Sequence, residues 1–362
     1  MSDPIRVGVV GTSGYADFMH LPSLASHPQA AIVAICGRNA ERARELAEKY
    51  TIPQVFTDHR AMIDQAALDA LVVAAPDDLH YAIARAALDA NLHVLCEKPL
   101  ALSAADAWAL YALAEQKRRT HLVHFTYRWR PWYRAVRELL DAGYLGRIYE
   151  CQLSCLGGYG RNAQYAWRFD GKRGHGILAD LGSHMIDMAR WLVADITSVS
   201  ARLATFVQRP GADGGPLEPA NDAAQLSLAF ANGAQGSIHV SAVAQLGERG
   251  MEKHLALYGE RGTLELHERG QHWELWGAHD GAERFEQLDV PAHIWGDVDP
   301  ARHLDVFVKH SAGARHFVDA IIAGQMATPS FYDGARAQDV IDAALTSQRE
   351  RRWVSVEHAG RP

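Results

Sequence analysis

The first third of the chain alternates short, continuously apolar runs with helical segments, and few architectures accommodate that order. The pattern reads IRVGVV as a strand, Gly14 to His27 as a helix, AAIVAIC as a strand and Ala40 to Tyr50 as a helix. ALVVAA, a helix from Leu79 to Ala90, HVLCE, a helix from Ser103 to Arg118 and HLVHF continue it. Strands without polar alternation are buried on both faces, and the intervening helices supply the cover. Residues 1–124 therefore predict an α/β domain, a doubly wound parallel sheet.

After His124 the pattern changes. Pro131 to Ala142 reads as a helix and Ile148 to Cys155 as a strand, followed by the long loop GGYGRNAQYAWRFDGKRGHG and a helix ending near Val193. Strands then follow one another: Ala223 to Phe230 and Ala234 to Val243 flank Asn232-Gly233, and Leu255 to Tyr258 and Thr263 to His267 flank GERG, as in consecutive hairpins. Two late helices, Ala314 to Ala323 and Gly334 to Arg349, and the strand WVSV close the pattern. Residues 125–362 thus predict a second, α+β domain with an open, mostly antiparallel sheet. Leu226, Leu228 and Phe230 alternate with smaller or polar residues, so one sheet face suits helices and the other is free to meet another subunit.

With 362 residues, 48% of them hydrophobic, the chain is long enough for two cores. A formal net charge of −7 offers no cationic surplus for nucleic acid or an anionic membrane and favours a small-molecule partner. The opening MSDPIRVGVVG lacks the long apolar stretch of a signal peptide, and no later segment has the length of a membrane span. Cys36, Cys96, Cys151 and Cys155 show no CxxC spacing, which suits reduced thiols and a cytoplasmic protein. His303, His310 and His316 lack a compact carboxylate or cysteine set, so no metal site is assigned.

Candidate chemistry concentrates in four places. The turn after the first strand reads GTSGYAD: Gly11 allows the tight turn and Gly14 lets backbone approach a pyrophosphate at the helix N-terminus, with Thr12, Ser13 and Tyr15 completing the turn. In a GxGxxG/A fingerprint the second glycine falls on Ser13 and the last position on Ala16. The second strand ends in CGRN, where an NAD-preferring site carries an acid. Gly37 followed by Arg38 suits a 2′-phosphate instead, so NADP is favoured over NAD. ALVVAA and HVLCE run into APDDLH and CEKP, which puts Ala75, Pro76, Asp77, His80, Glu97 and Lys98 at the carboxyl edge of the sheet, where ligands bind in open α/β folds. Finally, DLGSHMID places Asp180, His184 and Asp187 at i, i+4 and i+7, beside an apolar stripe of Leu181, Met185, Met188 and Leu192. A carboxylate and an imidazole sharing a helix face make an acid/base pair. Taken alone, the same two residues also fit a helix cap and a buried, hydrogen-bonded histidine.

Together, GTSGYA, APDDLH, CEKP and DLGSHMID, in this order and spacing, resemble the Gfo/Idh/MocA family of nicotinamide-dependent oxidoreductases. YGERGTLEL and GARAQDVIDAALTSQRERRWVSV extend the likeness over almost the whole chain. It implies an N-terminal Rossmann domain, a C-terminal domain for substrate and oligomerisation, a site between them, and homodimers or homotetramers formed through the open sheet. It also implies that Lys98 of EKP, with Asp180 and His184 of DxGxH, lines the reacting carbon. By the same likeness the YRW segment, Tyr127 to Trp129 with Arg128 at its centre, and the loop residues Tyr159, Trp167 and Arg168 border cofactor or substrate. The departures, Ser13 for glycine and Gly37-Arg38 for an acid, bear on which dinucleotide binds.

The expected activity is hydride transfer between a nicotinamide and a secondary alcohol or ketone carbon of a sugar, inositol or related polyol. His184 accepts the hydroxyl proton, Lys98 hydrogen-bonds the same oxygen and Asp180 holds a neighbouring hydroxyl. Two alternatives share the fold: a dinucleotide-binding sensor or regulator without turnover, and a redox-assisted glycosidase that returns its cofactor unchanged. An intact Lys98, Asp180 and His184 argues against the first.

Overall fold

The computed structural model describes residues 3–357. The apolar runs pair as a six-stranded sheet: β1 (Ile5–Val10), β2 (Ala30–Cys36), β3 (Gln54–Phe56), β4 (Ala70–Val73), β5 (His93–Cys96) and β6 (His121–Val123). All neighbours are parallel, in the order β3-β2-β1-β4-β5-β6, so strand order reverses between β1 and β4. The helix after β1 opens with a π-turn, Ala16–His20, and continues as α1 (Leu21–Ala25). α2 (Ala40–Tyr50), α3 (His59–Gln65), α4 (Asp77–Asp89) and α5 (Ala104–Lys117) link the later strands. Asn39, Asp58 and Ser103 cap α2, α3 and α5 with side-chain oxygens, which fixes where those helices begin. β3 and α3 escape the apolar pattern because β3 is three residues long and only partly buried.

The second sheet has nine strands and follows α6 (Pro131–Asp141). They are β7 (Ile148–Leu156), β8 (Ile196–Ala204), β9 (Ala223–Phe230), β10 (Gln235–Ser241), β11 (Glu252–Gly259), β12 (Gly262–Arg269), β13 (His272–His279), β14 (Glu286–Leu288) and β15 (Val354–Ser355). The order is β14-β13-β12-β11-β7-β10-β9-β8-β15, antiparallel except for the parallel pair β7 and β10. Both predicted hairpins form, with Gly233 at φ +85° in the first. Leu153, Leu226, Leu228, Ile238, Val240, Leu255 and Leu264 are buried on one face, which α7 (Ser183–Leu192) helps cover against β7. The opposite face carries polar and small residues such as Gln225, Ser227, His239 and His254, half-buried or exposed. The remaining helices are α8 (Ala292–Trp295), α9 (Val306–Lys309), α10 (Ala314–Ala323) and α11 (Phe331–Glu350).

Packing divides the described chain into two compact units: residues 3–129 with Asp297–Ala335, and Arg130–Gly296 with residues 336–357. The expected division at 124/125 differs from these units in two ways. The boundary follows the YRW segment, whose Trp129 packs with His124, Phe307 and His316. More substantially, α10 belongs to the first unit: Ala314, Phe317, Val318 and Ala320 are buried in one apolar cluster with Val7, Val9, Leu21, Leu24, Ile35 and Leu95. Burying a large aromatic side chain stabilises by about 1.5–3 kcal/mol, so this late segment is part of the parallel sheet's core. All four cysteines are free and buried, and among the described residues no helix is long and apolar enough to cross a membrane.

Candidate active site

The carboxyl edge of the parallel sheet holds most of the predicted cofactor residues. Gly11 lies at φ +130°, and a Cβ there would stand 2.2 Å from the Ala74 carbonyl oxygen, so only glycine fits where β1 meets β4. A Cβ on Gly14 would meet nothing within 4 Å. Protein packing places no demand on that position, whereas close approach of a pyrophosphate does, and the turn fits a dinucleotide on that ground. Ser13, in the place of the fingerprint's second glycine, caps the turn: its Oγ accepts from Ala16 N at 3.2 Å. Gly37 is held small by Thr12, whose Cγ2 would stand 2.4 Å from an added Cβ. Arg38 beside it is exposed.

The loops after β4 and β5 are tied together through His80. The buried imidazole places Nδ1 2.7 Å from the Pro99 carbonyl and Nε2 2.8 Å from the Ala75 carbonyl. Burial lowers its pKa while the two carbonyls pull it back up. A neutral ring donates to one of them at a time. Pro76 is the N-cap of α4, and Asp77 is buried in the first turn. The Lys98-Pro99 peptide is cis. Glu97 is buried and receives two imidazoles, His20 Nε2 and His124 Nδ1, each 2.8 Å from Oε1. Burial alone would raise the Glu97 pKa, but the His124 and His20 contacts outweigh it and hold the carboxyl well below its ordinary range. The backbone N–H of Lys98 donates to the other Glu97 oxygen at 3.3 Å, so the residue before the lysine braces the loop that carries it. Tyr15 packs edge-on against both imidazole rings. Arg128 forms an ion pair with Asp333 at 2.8 Å.

In the second unit, the loop residues singled out in the sequence gather at Asp180. Tyr159 Oη donates to Asp180 Oδ2 at 2.8 Å, Arg168 Nε stands 3.3 Å from the same oxygen, and the Arg168 guanidinium lies over the rings of Tyr159 and Trp167. Burial, then the Asp180 carboxylate, pushes the Tyr159 hydroxyl pKa up, so it stays a donor. Asp180 is not a helix cap. It sits inside a π-turn, Leu178–Gly182, that runs directly into α7, and π-turns of this kind recur at functional sites. His184 follows in the first turn of α7 and is 8% exposed. The stripes are less distinct than the periodicity suggests, because α7 is buried on every side from Ser183 to Ala189, Asp187 included.

Two positioning residues escaped the sequence analysis. Asn221 Oδ1 accepts from Leu178 N at 3.0 Å and its Nδ2 donates to the His175 carbonyl at 2.8 Å, which fixes the entry to the π-turn. A Cβ on Gly176, at φ +62°, would stand 2.1 Å from the Asn221 carbonyl oxygen, so the backbone is closed on itself there. Arg209 is buried, donates to the Gly160 carbonyl, pairs with the buried Asp222 at 3.5 Å and covers the Phe169 ring, bracing the long loop from behind. Neither belongs to a motif. The only signal was polar side chains flanking a turn-rich segment.

The profile of the oxidoreductase family with an NAD-binding Rossmann fold matches residues 5–125, and that of the GFO/IDH/MocA C-terminal domain matches residues 133–265. The chain belongs to the Gfo/Idh/MocA oxidoreductase family. A levoglucosan dehydrogenase of Pseudarthrobacter phenanthrenivorans is 31% identical, over 89% of this chain and 88% of the relative. An uncharacterised oxidoreductase of Synechocystis is 30% identical, over 98% and 97%. Among solved structures, levoglucosan dehydrogenase in complex with NADH and levoglucosan superposes with a TM-score of 0.88 at 28% identity, covering 98% of this chain and all of that one. A nicotinamide dinucleotide is the cofactor for which the glycine turn is shaped.

Proposed function

We propose that this Gfo/Idh/MocA oxidoreductase is a dehydrogenase of a sugar, inositol or related polyol, acting on a secondary CH–OH group. The bound nicotinamide supplies a hydride acceptor at C4. His184 takes the hydroxyl proton as the carbon gives up its hydride, and the Lys98 ammonium donates to the same oxygen, stabilising the negative charge that develops there. Asp180, positioned by Tyr159 and Arg168 at Oδ2, holds a neighbouring hydroxyl.

The observation that carries this reading is that cluster: a carboxylate whose Oδ2 is met by a tyrosine and an arginine, with a tryptophan beside them, placed one turn before a buried histidine. Hydroxyl-rich ligands take such a mixture of bidentate polar groups and flat apolar surface. Relatives named as dehydrogenases of levoglucosan, D-apiose and D-glucosides support the substrate class. An exposed Arg38 beside Gly37 favours NADP over NAD. The polar face of the nine-stranded sheet serves to join subunits into dimers or tetramers in the cytoplasm.

Anhydrosugars, aldoses, glycosides and inositols, each offered with NAD and with NADP while nicotinamide absorbance is followed, test the reading. Stoichiometric reduction is expected. A glycoside cleaved with the cofactor unchanged points to the glycosidase chemistry instead, and dinucleotide binding without turnover on any of these classes points to a sensor. Lys98→Met and His184→Ala should each lower turnover by about a hundredfold or more while leaving dinucleotide affinity within a few-fold. Near-normal turnover in either variant would remove that residue from the mechanism.

A further inference from the structure

One group of side chains outside the active site converges without a structural task. On the face of the nine-stranded sheet opposite the apolar core, His254 of β11 pairs directly across from His267 of β12, and Glu265 lies two residues before His267 on the same face. The two imidazoles are stacked, with ring centroids 4.5 Å apart and planes 20° from parallel, so a rotation of one ring about its Cβ–Cγ bond is what would turn both in-plane lone pairs onto one ion. The potential ligand atoms of all three residues lie within 4.8 Å of one another. His254 Nε2 is buried and has no hydrogen-bond partner.

We infer that His254, Glu265 and His267 form a binding site for a divalent transition ion of the zinc class. Two imidazole nitrogens and one carboxylate oxygen are a borderline donor set that suits zinc, with the fourth position left to water. His267 Nε2 and Glu265 Oε2 are 3.3 Å apart, long for a charge-assisted hydrogen bond. It matches the edge of a coordination tetrahedron with bonds of about 2.0–2.1 Å, which is roughly 3.3 Å.

The neighbours leave room for the ion. Ala256 stands opposite Glu265 and Ser154 opposite His254, both small, and a depression of about 260 Å³ is lined by both histidines. Glu274, opposite His267, adds negative charge, while Glu252 is paired with Arg249 and faces Arg269 across the ladder. The buried group of His20, Glu97 and His124 differs in its position, since it lies at the carboxyl edge of the parallel sheet, where both imidazoles meet Glu97 Oε1 at 2.8 Å and brace the Lys98 loop, while His20 Nδ1 and His124 Nε2 are left without hydrogen-bond partners. An ion held at the sheet face would clamp β11 to β12 by side chains as well as by their ladder.

Chelator-treated full-length protein titrated with cobalt(II), and with zinc by calorimetry, decides the matter. One ion per chain at micromolar affinity and the visible absorption of four-coordinate cobalt are expected. Loss of a partner beyond the ligands typically costs about 10- to 100-fold in affinity, so His254→Ala and His267→Ala should each cost no less. Wild-type affinity in the double variant would place any ion elsewhere and overturn the assignment, as would the absence of micromolar binding by the wild type. Should an alanine variant fail to fold by circular dichroism, the isosteric Glu265→Gln carries the test: weakened cobalt binding supports the site, and an unchanged spectrum and affinity refute it.

Discussion

Asn221→Ala isolates the brace beneath the π-turn that carries Asp180. The truncation removes an acceptor 3.0 Å from Leu178 N and a donor 2.8 Å from the His175 carbonyl. Leu178 is fully buried, so its N–H is left without a partner, which costs about 1–3 kcal/mol. The His175 carbonyl fares better, because a depression of about 300 Å³ lined by His175 and Asn221 admits water. A net destabilisation of about 2–3 kcal/mol follows, read as a lower urea midpoint at unchanged slope. Because the released turn carries Asp180, kcat/KM on the substrate should also fall, on the order of tenfold or more, through misplacement alone. A stability change below about 0.5 kcal/mol with undiminished turnover would refute the reasoning, since that is the range of surface substitutions without a structural role.

Four further outcomes follow from other parts of the molecule. Arg38→Ala should weaken NADP binding by about ten- to hundredfold and leave NAD unchanged, the worth of one charge-assisted contact; calorimetric titration showing a wild-type preference for NAD would defeat it. Reversing the preference with Gly37→Asp should also require a smaller residue at position 12, because Thr12 occupies the space of the new Cβ. Phe317→Ala should cost about 3–5 kcal/mol in equilibrium unfolding, as expected for a fully buried ring, and a loss under 1 kcal/mol would contradict its place in the parallel sheet's core. Light scattering at micromolar concentration should show dimers or tetramers, and monomer alone would remove the proposed role of the open sheet face.

What could be read in advance was whatever period or punctuation controls. Five of the six parallel strands, the capped helices α2 and α5 and both hairpins carry their signals within a dozen residues, so they stand where the pattern puts them. The candidate site was legible as residue types: Tyr159, Trp167 and Arg168 were expected near substrate and gather at Asp180. The partner of Arg128 was not legible, since no local signal announces Asp333, 205 positions away. The π-turn under Asp180 was hidden for a related reason, since a single turn of altered pitch leaves the i, i+4 spacing of Asp180 and His184 intact. The His254 and His267 pairing depends on strand register, which periodicity gives only to the nearest face and not to the nearest residue.

The placement of α10 bears on how the protein is made. The strands of the parallel sheet leave the ribosome well ahead of Phe317 and Val318, which fill their core but are added only after eight of the nine strands of the second sheet have been synthesised. Until then Leu21, Leu24 and Ile35 lack part of their cover, and the nascent dinucleotide-binding half is left with an apolar opening on its surface. The usual order, in which an N-terminal domain finishes folding before the next begins, is therefore closed to this chain. A fragment cut after the sixth parallel strand would carry every glycine of the cofactor turn and still lack the means to hold it in shape.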